Sequence, residues 1–290
     1  MSIPRPAHRR PIRSPARSRG VSLIDLLIGI ALGLVVVAVA MVALMTSRSV
    51  TGTVSEASVL QQQAAYAFRV MGQQLRQAGS LELNLAPAIM PSADADAAMS
   101  PVAFDPPDPA GTRAQFDRRA STLSGTGTAT PRFTVGYQNY VEAVTPLAAP
   151  VTAALLRDCL GRNGVTSGVP DAAVLASTFE RDAQTNELTC TGTGSTARRA
   201  IISNVTDMKL RYLVQAPGTA NLRYFSDPAD IGGAWNNVYA LEVCLELSGT
   251  EAVPTPDARY TNCSGTETAY GDRLRMVFRN VFQIRSQGQL

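Results

Sequence analysis

Leu26 to Met45 is a run of twenty consecutive residues without a charge. At about 1.5 Å of rise per residue, about 20 apolar residues span a hydrocarbon layer of roughly 30 Å. The run therefore predicts a membrane segment. Ahead of it, residues 1–20 carry Arg5, Arg9, Arg10, Arg13, Arg17 and Arg19 and no acid. Basic residues beside a short span stay on the cytoplasmic side, so the chain after residue 45 is expected across the inner membrane, in the periplasm. A secretory signal has a shorter apolar core and a small-residue cleavage site behind it. Here Ala43-Leu44-Met45 is the nearest approach to such a site, so the span is expected to stay in the mature protein.

The leader also explains the charge. Net charge is +3, but removing the six leader arginines from 26 basic residues leaves 20 against 23 acidic ones. The basic balance is then no nucleic-acid footprint, and no nucleic-acid partner is expected. The single lysine is Lys209 and the single histidine is His8, inside the leader. A mature chain without histidine has no Ser-His-Asp or Cys-His machinery and no histidine metal site. Phosphate- and dinucleotide-binding glycine patterns are absent too. No enzyme activity and no cofactor are expected. Asp94, Asp96, Asp105 and Asp108 lack the spacing of an EF-hand loop and read as solvated loop acids. The sequons at Asn204 and Asn262 read as coincidental.

An α-helix is permitted from about residue 21 to 78, since no proline occurs between Pro15 and Pro87. Its second half has an apolar stripe at helical spacing: Val50, Val54, Ala57, Ala64, Phe68, Met71, Leu75 and Ala78, with Gln61 in one slot. Glu56, Gln62, Arg69, Gln73, Arg76 and Gln77 lie opposite. Gly79 suits the helix C-terminus. Weak propensity predicts bending or melting near Thr46 to Thr53. Residues 80–131 read as an irregular Pro/Ala/Asp/Gly-rich region, ending in a Ser/Thr/Gly linker over 121–130. From residue 132 the period changes to two. Arg132 to Tyr137, Lys209 to Val214, Tyr239 to Leu247 and Arg273 to Phe278 alternate as half-buried strands do. Turn-rich pieces over 215–219, 227–233 and 248–256 separate them, which favours an antiparallel sheet. The predicted scheme is α+β: leader 1–20, membrane half 21–46, amphipathic half 47–79, irregular region 80–131, and a sheet domain over 132–290 on which the amphipathic half packs.

Cys159, Cys190, Cys244 and Cys263 all follow the span, and none forms a CxxC. In an oxidising compartment they are disulfide candidates with three possible connectivities. Cys159–Cys190 and Cys244–Cys263 are favoured, because each pair is close in sequence and flanks loop-like residues. Trp235 reads as a core or interface aromatic.

Asp25 is the sharpest residue. A carboxylate at the mouth of a lipid-buried helix costs several kcal/mol unless it is paired. A hydrated position favourable to the helix dipole is one account. A cut between Gly20 and Val21 is another, since it creates an amine four residues before Asp25 with which the carboxylate can be neutralised. Gly29 and Gly33, four apart, form a G-x-x-x-G that lets apolar helices approach closely.

The segment Gly20-Val21-Ser22-Leu23-Ile24-Asp25 before an apolar helix resembles the class III signal of type IV pilins and type II secretion pseudopilins. The resemblance implies cleavage after Gly20 by prepilin peptidase, N-methylation of Val21, and Asp25 as the assembly charge. The family's usual Glu is Asp25 here, and its usual Phe or Met is Val21. Further along, Asp158-Cys159-Leu160-Gly161, Glu187-Leu188-Thr189-Cys190, the segments over 202–212 and 235–241, and the ending from 272–278 through Ile284-Arg285 resemble PilW-type minor pilins. That implies a minor pilin of a type IV pilus, waiting in the inner membrane and then acting in pilus assembly, initiation or the tip. Its implied partners are other minor pilins and the major pilin, reached through N-terminal helix packing. A J-type minor pseudopilin of a type II secretion system fits the same architecture. A membrane-tethered periplasmic enzyme or ligand-binding domain is the alternative of another class. It requires a polar pocket, for which the sequence shows no cluster.

Overall fold

The computed structural model describes residues 22–81, 83–84, 103–104, 116–139, 141–143, 152–154, 156–163, 174–216, 221–252 and 258–284. The chain divides into two compact units, Met1–Thr51 and Gly52–Leu290. Helix α1 (Leu23–Gln77) begins in the first and ends in the second.

In the first unit every described side chain from Leu23 to Met45 is exposed. This stretch is long and apolar enough to cross a membrane. Helical structure continues through Thr46 to Thr53, where melting is expected from propensity. The Thr51 hydroxyl bonds the Ser47 carbonyl at 2.9 Å. Such i−4 bonding gives a poor helix former a partner inside the helix.

The second unit begins with the amphipathic half of α1. After it come a two-residue pair, β1 (Leu83–Asn84) with β2 (Ala103–Phe104), and the one-turn helix α2 (Arg118–Ser121). Then follow β3 (Leu123–Thr126), β4 (Arg132–Gln138), β5 (Val141–Ala143), β6 (Thr152–Ala154), β7 (Val174–Asp182), β8 (Glu187–Gly192) and β9 (Arg199–Ile202). Next are β10 (Val205–Gln215), β11 (Leu222–Phe225) and two short 3-10 turns, Pro228–Ile231 and Trp235–Asn237. The chain continues as β12 (Val238–Ala252), β13 (Arg259–Thr261), β14 (Glu267–Ala269) and β15 (Arg273–Gln283). The two larger antiparallel sheets are ordered β3-β4-β7-β8-β9 and β11-β10-β12-β15, beside the two-stranded pairs β1-β2, β5-β6 and β13-β14.

One hydrophobic core joins both sheets to the helix. Leu60, Ala64, Ala67, Met71 and Leu75 are its helical members, with Ala78 just past the helix end. The buried face thus differs from the expected stripe at its upstream end. Val54 is 65 % exposed and Gln61 is also exposed, while Leu60 takes the inward position. The intervals of three and four allow either row, and the sheet beneath selects Leu60. Phe133 on β4 stacks on its register partner Phe179 on β7 at 5.1 Å. The inward residues of β10 are Met208, Leu210, Tyr212 and Val214, and those of β12 are Leu241, Val243, Leu245 and Leu247.

Among the described residues β1, β2 and α2 fall inside the expected irregular region, and two further departures bear on the packing. Leu123–Thr126 lies inside the expected linker yet is strand β3. Leu123 is fully buried there, and Gly125 lies so close to the Tyr212 phenol that a Cβ would come within 2.0 Å of its oxygen. Small residues admit close packing here, where composition suggested looseness. At Ser248, where a turn is expected, β12 instead runs on to Ala252. Its register with β15 breaks between Ser248 and Ala252, a β-bulge.

Candidate assembly helix and its anchorage

The structure leaves Gly20 and Val21 outside the described residues and begins at Ser22. Ser22 precedes the first helical residue, and its Oγ accepts the Ile24 N–H at 3.3 Å. Asp25 Oδ2 reaches back to accept the Ser22 N–H at 3.3 Å. This reciprocal pattern is close to a capping box, with the Ser22 hydroxyl taking the second helical N–H rather than the third and Asp in place of the usual Glu or Gln. Asp25 therefore satisfies a backbone donor of its own helix, at the end where the helix dipole favours an anion. A Cβ built at Gly29 or Gly33 meets nothing within 4 Å. Both glycines face open space, one turn apart on the same helix side.

The amphipathic half is fastened at several places. Its upstream end is held by Glu56, whose carboxylate accepts the backbone N–H of Thr250 and that of Glu251, the latter at 2.8 Å. The Thr250 hydroxyl adds a third bond to the same oxygen at 3.1 Å. These donors belong to the β12 bulge, which has turned from β15. Arg273 collects the acceptors there, donating to the Gly249 and Thr250 carbonyls. In the sequence Glu56 reads as a solvated charge on the polar face. Only the position of the bulge reveals its partners.

Midway, Phe68 meets Phe282 with ring centroids 6.1 Å apart, and Gly72 lets the Phe282 ring settle against the helix backbone. Further on, Gln74 is a buried polar hub. Its Oε1 lies 2.6 Å from the Tyr137 hydroxyl and accepts the Ser177 hydroxyl at 3.0 Å. Its Nε2 donates to the Arg157 carbonyl at 3.3 Å. The Tyr137 phenol also lies 2.7 Å from that carbonyl, so one proton serves two acceptors. Burial pushes the Tyr137 phenol up from its ordinary value. At the helix end Gly79 adopts φ +68° and donates its N–H to the Gly136 carbonyl at 2.8 Å. This is the left-handed helix terminus expected of that glycine.

The four cysteines form two bridges, Cys159–Cys190 and Cys244–Cys263, with Cα separations of 6.5 and 5.8 Å. The first secures the loop of Asp158. That buried carboxylate accepts the N–H of Leu160, Arg162 and Thr193. The second ties the hairpin β13–β14 onto the outer face of β12.

On that outer face, Glu242 lies between two guanidiniums, with its Oε1 3.4 Å from both Arg211 Nη1 and Arg279 Nη1. Glu246 takes Arg275 at 3.3 Å and the Tyr260 hydroxyl. Burial, and then the bond to Glu246 and its charge, push the Tyr260 phenol up to about 12. Trp235, on the second 3-10 turn, stands edge-on to Tyr212 of β10 at 5.2 Å. Among the described residues no group of His, Cys, Asp and Glu is placed to hold a metal.

No family model and no curated protein matches this sequence. Among solved structures, a type IV-like pilin from Thermus thermophilus aligns over 79 % of this chain and 97 % of its own, at 11 % identity and a TM-score of 0.39. A likeness that distant carries no functional argument.

Proposed function

We infer that this chain is a helix-packed assembly subunit, a minor pilin of a type IV pilus. One observation carries the reading. A membrane-length apolar helix, opened by Ser22 and Asp25, runs without a break into a half that is fastened to a disulfide-bonded sheet domain. An anchor alone needs no such continuity, whereas a subunit drawn from lipid into a bundle of helices must transmit force from helix to domain.

In this reading prepilin peptidase cuts after Gly20 and the Val21 amine is methylated. The chain waits in the inner membrane with its domain in the periplasm, then packs α1 against other minor pilins and the major pilin. Gly29 and Gly33 are the close-approach positions. Asp25 exchanges its Ser22 partner for the new amine, its own or a neighbour's. No catalytic step is assigned to it.

Intact mass of the protein purified from its native membrane tests this directly. The expected mass is that of residues 21–290 with one added methyl group and two disulfides. Retention of residues 1–20 overturns the reading and favours a tethered periplasmic domain. A J-type pseudopilin shares the processing, so genetic neighbours separate a pilus cluster from a secretion operon.

A further inference from the structure

The outer face of the four-stranded sheet holds a cavity of about 500 Å³. Its floor is a cross-strand row. Lys209 on β10 faces Cys244 on β12, which faces Arg279 on β15. Arg211 stands beside the row, and the hairpin tip at Cys263 roofs it. Thr128, Ser226 and Ser264 are also among the lining residues. Sequence reading misses this cluster, because the cations come from strands about seventy residues apart and only the register aligns them.

Lys209 and Arg211 are loosely engaged, while Arg279 also donates to the carbonyls of Asn262 and Cys263 at 3.0 and 3.1 Å. Arg211 and Arg279 share one oxygen of Glu242, each at 3.4 Å. Charge-assisted bonds of this type close to about 2.7–2.9 Å when fully formed. Lys209 has Asp207 at 3.8 Å. The side chains of Lys209, Arg211 and Arg279 remain 36, 41 and 38 % exposed. The Arg211 guanidinium carbon lies over the Tyr224 ring, 4.3 Å from its centroid, a contact that does not neutralise its charge. Asp227 also lines the cavity, but one of its oxygens accepts the Ala229 N–H at 2.9 Å and caps a 3-10 turn.

We propose that this cavity binds a carboxylate group of a peptide, held by Lys209, Arg211 and Arg279. Planar guanidiniums match a carboxylate's two oxygens. The proposal does not depend on processing at Gly20.

Lys209 is the only lysine in the chain, so reductive ¹³C-dimethylation labels one side chain and preserves its charge. The test titrates the full labelled chain, in detergent micelles, with acetyl-Ala-Asp-Ala-amide, its Asn counterpart, acetyl-trialanine with a free C-terminus, and inorganic phosphate. The expected result is a saturable shift of the Lys209 signal with one or both carboxylate peptides and none with the Asn peptide. Response to the Asp peptide assigns the source to an acidic side chain, and response to acetyl-trialanine assigns it to a chain terminus. Arg279→Gln is expected to weaken the response about tenfold or more. Arg279 also holds the hairpin carbonyls of Asn262 and Cys263. Arg211→Gln, which leaves those contacts in place, therefore carries the same expectation. Equal shifts with the Asp and Asn peptides, no shift at millimolar peptide, tighter binding of phosphate, or titrations unchanged in Arg211→Gln overturn the proposal.

Discussion

Glu251 donates its backbone N–H to Glu56 at 2.8 Å, joining strand to helix across 195 residues of sequence. Hydrogen bonds to a charged acceptor contribute about 1.5–3 kcal/mol each when well formed. Glu56 is only partly buried, so the lower end applies. Glu56→Ala is expected to lower unfolding stability by about 1–2 kcal/mol, read from chemical denaturation. Amide exchange at Thr250 and Glu251 should accelerate while exchange in the core of β10 stays slow. Unchanged exchange at those two amides would remove the clamp from this account.

Asp25→Ala is expected to block entry into the pilus or tip complex while leaving cleavage after Gly20 largely intact. The variant keeps Ser22 as a cap for the Ile24 N–H, so the helix start survives. Normal piliation, counted by electron microscopy, would sink the assembly role of this carboxylate.

Gly125→Ala places a methyl where the Tyr212 oxygen sits, 2.0 Å from the ideal Cβ, with Trp235 at 3.0 Å. Overpacking of this kind costs roughly 1–3 kcal/mol. The expected readout is a lower denaturation midpoint with the slope unchanged. A midpoint equal to the parent protein's shows that β3 does not lie against Tyr212.

Three phenols resist ionisation. Burial is the first cause at Tyr137, Tyr212 and Tyr260, and Glu246 adds to it at Tyr260. A raised folded-state value means that the folded state keeps its proton while the unfolded chain releases it. The stability contribution is complete below the ordinary tyrosine value of about 10 and is lost as pH rises through the folded-state value. Stability should therefore fall from about pH 10 upward, reaching about 12 for the Tyr260 share. Absorbance titration of the native protein at pH 11 should ionise fewer phenolates than that of the denatured protein. Tyr260→Phe should remove part of the slope.

Reducing either bridge should destabilise the domain. Cys244 and Cys263 are 19 residues apart, and Cys159 and Cys190 are 31 apart. Loops of this size correspond to about 3 kcal/mol each by restriction of the unfolded chain. Cys263→Ser, compared with the parent by thermal denaturation, measures the hairpin's share.

The helix and the longest strands were legible because one period dominates each. Twenty uncharged residues mark a single apolar helix, and the alternation in Lys209 to Val214 places Leu210 and Tyr212 inward without ambiguity. β7 was missed although its odd-even burial is regular, since Ser177 and Ala176 blur the apolar alternation. β3 was hidden by its small residues, which mark close packing only once Tyr212 and Trp235 are known to press on Gly125. The sequence showed Asp25 but not its capping bond to Ser22. Glu56, Gln74 and the Lys209–Arg279 row depend on register and tertiary placement, which no local pattern encodes.

The β12 bulge has a consequence for crowded assemblies. Its N–H groups at Thr250 and Glu251 go to Glu56, and its carbonyls at Gly249 and Thr250 go to Arg273. A strand end with both donors and acceptors taken offers no template for another chain to extend the sheet. Domains held side by side at high local concentration are thus protected, at this end, from fusing by edge-to-edge aggregation.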